Sequence, residues 1–123
     1  MSIYPPSYGL NKYDLFWGKI SRGEFLRRGA SVANSSADLY ICPSNKKAYI
    51  FTLFMAWRLA AGTSYRVYIT DSSNNVYYII YIYSSTDTAA IYDVIPLNPG
   101  DKLSVTASGT DSYGWIYALI VEV

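Results

Sequence analysis

Asn98 to Ser108, NPGDKLSVTAS, is the stretch from which a fold can be read. In Asn98-Pro99-Gly100-Asp101, proline pre-sets φ at the second turn position. Glycine supplies the positive φ that a type II turn needs at the third. Beyond the turn the residues alternate. Leu103, Val105 and Ala107 point one way, and Lys102, Ser104, Thr106 and Ser108 the other. That is the period of a strand, and it predicts one face on a core and one face in water.

The same punctuation recurs along the chain. Apolar segments at 24–33, 37–42, 48–59, 64–70, 76–83, 89–97, 102–108 and 115–123 are separated by NSS, PSNKK, AAGT, DSSNN, SSTD, NPGD and SGTDSYG. Short strands with turns every eight to twelve residues, and no crossover helices, predict an all-β antiparallel sandwich or barrel of about eight strands. Residues 48–61 are open to a helix reading, since Leu, Met, Ala and Arg favour helix and Gly62 offers a stop. Tyr49, Ile50, Phe51, Thr52, Phe54 and Trp57 favour a strand, and the strand is the reading taken.

Residues 1–23 read as an irregular N-terminal arm and 24–123 as the sandwich domain. The arm mixes Pro5, Pro6, Gly9, Gly18 and Gly23 with Tyr4, Tyr8, Tyr13, Phe16 and Trp17. Paired prolines block regular ladders, while a disordered tail is poor in aromatics. Tyr4, Tyr8, Phe16 and Trp17 are therefore candidate contacts, on the arm's own domain or on a neighbouring subunit.

Composition excludes several chemistries. The chain has no His, one Cys and a net charge of +1. Without His there is no Ser-His-Asp or Cys-His relay and no ordinary zinc site. Asp71, Asp87, Asp101 and Asp111 lie in expected turns, but no spacing resembles a calcium loop. No phosphate-binding glycine loop and no clustered basic footprint appears, so neither enzyme activity, a cofactor, a metal nor nucleic acid is expected. RRGAS at 27–31 and NSS at 34–36 match modification patterns that occur by chance. The most apolar run, 48–59, is too short to span a bilayer. No signal peptide is read in the first residues, and Cys42 is expected as a buried thiol.

The surplus is tyrosine, at fourteen copies. In Val76–Tyr83, VYYIIYIY, nothing alternates. A plain strand would put Val76, Tyr78, Ile80 and Ile82 on the core and Tyr77, Ile79, Tyr81 and Tyr83 outside, where they are candidates for a self-association face. A different use of exposed rings is sugar stacking, for which Tyr113 and Trp115, beside Asp111, are candidate ligand-binding aromatics.

YICPSNKKAYIFTLFMAW (40–57), YRVYITDSSNNVYYI (65–79), IPLNPGDKLSVTAS (95–108) and the closing YALIVEV (117–123) carry a resemblance. Over 38–123 the chain resembles the jelly-roll structural proteins of tailed phages and some archaeal viruses: capsid decoration, fibre or tail proteins. The matching residues are turn formers and core formers. The resemblance implies a jelly-roll sandwich and a non-enzymatic virion role, as decoration protein, minor capsid protein, spike or tail component. It also implies self-association, commonly as a homotrimer, contacts with other virion proteins, assembly in the host cytoplasm and no membrane partner. The alternative is a lectin-like module, and a host glycan is compatible with both.

Overall fold

The structure, a computed structural model, describes residues 12–123, with side chains from Phe16 onward. A helix, α1 (Lys12–Ser21), precedes β1 (Leu26–Ala33), β2 (Ser35–Ile41), β3 (Ala48–Leu59), β4 (Ser64–Thr70), β5 (Val76–Tyr83), β6 (Thr86–Ile91), β7 (Ile95–Leu97), β8 (Lys102–Ser108) and β9 (Ser112–Glu122). The strands form two antiparallel sheets. One runs β1-β9-β3-β6, with β7 also on β3; the other runs β2-β8-β4-β5. The chain is thus the expected all-β sandwich. The ribbon β1/β2 lies beside β9/β8, then β3/β4, then β6–β7/β5. This is the winding of a jelly roll.

The ambiguous segment is strand throughout. β3 pairs with β9 along one side and with β7 and β6 along the other. A central strand buries both flanks of its backbone, and its β-branched and aromatic residues suit that position. The expected single strand over 89–97 is instead two, β6 and β7, interrupted at Tyr92–Val94.

The core lies between the sheets. Ile50, Leu53, Met55 and Trp57 of β3 and Ile116, Ala118 and Ile120 of β9 face Tyr65 and Val67 of β4 and Leu103 and Val105 of β8. Each large side chain so buried contributes roughly 1.5–3 kcal/mol. Cys42 is buried as expected, and burial pushes its thiol up from the ordinary range.

The NPGD turn is as read. Asp101 N donates to Asn98 O at 3.0 Å, and Gly100 has φ +86°. Gly100 N also donates to Cys42 O, and Cys42 N to Asp101 O, which ties the turn to the end of β2. A Cβ on Gly100 would in addition meet Ser72 Cβ at 3.3 Å. Gly100→Val is expected to destabilise by roughly 1–3 kcal/mol. An unchanged thermal midpoint would refute this.

Two further expectations are corrected. The arm is not irregular over its second half: Lys12–Ser21 is a helix. Gly23 (φ +72°) ends it in a Schellman motif, with Gly23 N bonded to Ile20 O and Glu24 N to Lys19 O. The cue was a glycine two residues past the last helical residue. The polar side of β8 is not wet either. Ser104 and Thr106 are 1% and 6% exposed, since β8 is central and its short side chains lie among longer neighbours. Ser104 Oγ donates to Asp38 Oδ1, and Thr106 Oγ1 hydrogen-bonds with Ser36 Oγ and Tyr68 OH.

Candidate functional site

β5 is an edge strand, paired only with β4, and there the expected faces are wrong in part. Val67 pairs with Ile80 but Tyr68 with Tyr78, so Ile79 is an extra residue, a β-bulge. The bulge breaks the period of two. Ile79, Ile80 and Ile82 all pack against the core. Tyr83, Tyr81 and Tyr78 stand opposite Ser64, Arg66 and Tyr68, on the outer face. Tyr78 is therefore not a core residue and Ile79 is not an outer one. Tyr77 is opposite inward-facing Ile69, yet lies exposed at the strand end, with its hydroxyl donated to Asp71 Oδ2 at 3.3 Å. Only Tyr81 and Tyr83 of the four candidates share the outer face.

The corrected grouping is a continuous ridge. Tyr68 meets Tyr78 edge-on at 6.0 Å, Tyr78 meets Tyr81 edge-on at 5.0 Å, and Tyr81 stacks on Tyr83 at 5.0 Å. Arg66 lies over the Tyr81 ring at 5.5 Å, and its Nε is enclosed without a hydrogen-bond partner among the described residues. Hydrogen bonding to Tyr81 holds the Tyr83 hydroxyl above the ordinary phenol range.

A second aromatic face lies on the outside of the other sheet. On β9, Tyr113, Trp115 and Tyr117 point outward beside Arg58, Ala56 and Phe54 of β3. Tyr113 and Trp115 are thus on one face, but the Arg58 guanidinium covers the Tyr113 ring at 4.7 Å. Asp111 sits apart in the β8–β9 turn with φ +62°. Between Trp115, Tyr117 and Phe54 runs an open apolar groove of about 480 Å³, floored by Ala56 and Ala90. Sequence reading missed Phe54, Tyr117 and this groove. The small residues that make it hollow are on strands whose adjacency the sequence does not state.

α1 covers the far end of the same face. Phe16 is buried, in edge contact with Tyr49 and Phe51 at 5.5 and 6.0 Å. Phe51 is the bulge residue of β3, and it also meets Phe25. Trp17 packs edge-on against Phe16 and is exposed on its outer side. Lys19 Nζ donates to Glu122 O. This half of the arm belongs to its own domain, whereas Tyr4 and Tyr8 lie outside the described residues. Glu122 also accepts from Tyr40 OH at 2.6 Å, which, with Lys46 nearby, lowers its carboxyl below the usual range.

The candidate acids are occupied by backbone or isolated. Asp71 caps its own hairpin turn, accepting from Asn75 N and Ser73 N at 2.9 Å, and these bonds lower its carboxyl. Asp101 accepts from Asn98 N and Asp87 from Thr88 N. Among the described residues no three acids or cysteines gather in a metal-binding group. No helix there is long and apolar enough to cross a membrane.

No protein-family model matches the chain, and no curated protein is similar to it in sequence. Among solved structures it is similar to a pentameric capsid protein from metagenomic phage sequences. The TM-score is 0.54 at 12% identity, over 98% of this chain and 79% of that one. At that identity the likeness is one of fold.

Proposed function

We propose that this chain is a non-enzymatic structural protein of a virus particle that works by associating with copies of itself. The observation that carries the reading is the row Tyr78-Tyr81-Tyr83, left bare on an edge strand beside Arg66. Tyr and Arg are enriched at protein interfaces and depleted from inert surfaces. The fold likeness to a phage capsid protein supports a place in a virion. As a decoration protein, minor capsid protein, spike or tail component, the chain would use this face to meet its copies. The resemblance read from the sequence suggests three subunits, while the similar capsid protein is pentameric. Sedimentation of this chain decides the number. The lectin-like reading has less support, because Arg58 occupies one of its two rings.

Sedimentation velocity tests the proposal, and the native chain is expected to be oligomeric. Tyr81→Ala is expected to weaken association by roughly 2 kcal/mol or more while the subunit stays folded. Since the bulge turns Tyr78 outward, Tyr78→Ala is expected to act on association as well, with little loss of subunit stability. A monomeric native chain at high concentration would refute the reading.

A further inference from the structure

The two aromatic surfaces differ in shape and lie on opposite sheets. The ridge on β5 projects, and the groove between β9, β3 and β6 recedes. We infer that the ridge of one copy seats in the groove of the next, a head-to-tail contact in which Tyr81 and its neighbours meet Trp115, Tyr117 and Phe54. The inference rests on the self-association reading and adds which surfaces meet.

Shape is the first argument. A contact of the ridge with itself would set one convex row of rings against another and leave the groove empty. Seating the ridge in the groove covers both at once. Area is the second. Tyr78, Tyr81 and Tyr83 are 52%, 39% and 62% exposed, and Phe54, Tyr92, Trp115 and Tyr117 are 42%, 70%, 44% and 39% exposed. At roughly 200 Å² per aromatic side chain, the two surfaces offer roughly 700 Å² of ring area. That is close to half of the roughly 1,600 Å² a standard interface buries, enough for its apolar centre.

The edge of β5 is the third argument. The bulge at Ile79 disfavours the competing mode, strand addition at the β5 edge, because it interrupts the ladder there. A head-to-tail contact uses two different patches per copy, so it closes into a ring or runs on as a filament according to the rotation per subunit.

Complementation between damaged copies tests this directly. Tyr81→Ala spoils the ridge and Trp115→Ala the groove, and each is expected to weaken association roughly 30-fold in sedimentation. Their equimolar mixture retains one intact ridge and one intact groove per pair, so it should form dimers where each variant alone is monomeric. Ala56→Phe, which fills the groove and removes no exposed ring, should behave as Trp115→Ala does. A mixture that stays monomeric overturns the inference, as does full assembly by Trp115→Ala and Ala56→Phe. A chain lacking residues 1–11 should assemble like the native one. If that truncation dissociates while Tyr81→Ala does not, the groove takes the N-terminal segment and the inference is overturned. A native chain that is itself monomeric removes the self-association reading as a whole, whereas native assembly with failed complementation removes only the head-to-tail contact.

Discussion

Tyr65→Ala is expected to destabilise the subunit by roughly 4 kcal/mol, a large part of the stability of a domain this size. Tyr65, the second residue of β4, is fully buried. Its ring stacks on Trp57 at 5.4 Å with 25° between planes, and its hydroxyl donates to Trp115 O at 2.8 Å across the sandwich. Burial holds that hydroxyl protonated, well above the ordinary phenol range. Truncation leaves a cavity beneath β9, strips Trp57 of its stacking partner and leaves a carbonyl without its donor. Tyr65→Phe isolates the last effect and should cost only about 1 kcal/mol. Thermal melts decide it, since Tyr65→Ala should fall by more than 10 °C on the usual scale of roughly 3–5 °C per kcal/mol. A midpoint within a few degrees of native would mean that the ring is not a core element.

Gly114→Ala is the second large effect, roughly 3 kcal/mol. A Cβ at Gly114 would run into Cδ1 and Cε1 of Tyr65 and lie 3.4 Å from Val32 Cγ2. The ring is pinned by Trp57 on one side and by its own hydroxyl bond, so it cannot retreat to make room. The two effects are one interaction seen from both ends. In a Tyr65→Ala background, Gly114→Ala should cost little or even stabilise, because its methyl then enters the vacated space. The double-mutant cycle should show a coupling above 1 kcal/mol. Additive losses would show that Gly114 is required for some other reason.

Glycine in the middle of a long strand is ordinarily a weakness. From sequence alone Gly114 reads as part of the SGTDSYG turn, whereas β9 begins at Ser112 and includes it. Nothing local to β9 says that an aromatic ring from the other sheet needs the space. The same limit explains the faces of β5. The period of two is the right rule for a regular ladder, and it placed Ile80 and Ile82 inward and Tyr81 and Tyr83 outward. A single extra residue at Ile79 reverses everything before it. Once the bulge is included, VYYIIYIY does sort: three isoleucines face the core and three tyrosines stand outside, with Tyr77 at the strand end.

Local chemistry determined the strands, the turns and the fold class. A residue's preference for strand, the φ a turn demands and the period of two are properties of neighbours in the chain. All three are legible in NPGDKLSVTAS itself. The long β3 was legible on the same terms, from its aromatic and β-branched content. The absence of His settled which relays cannot be built, since chemistry that lacks its atoms is lacking in every fold. What only the tertiary structure decided depends on residues far apart in sequence. The bulge that sets the β5 ridge is an offset between two strands. The polar face of β8 is buried because β2 and β4 flank it. The groove exists because Ala56 and Ala90 come to lie between the rings of Phe54, Trp115 and Tyr117. Each is a relation between strands, and a relation acquires its energy only when packing brings the partners together.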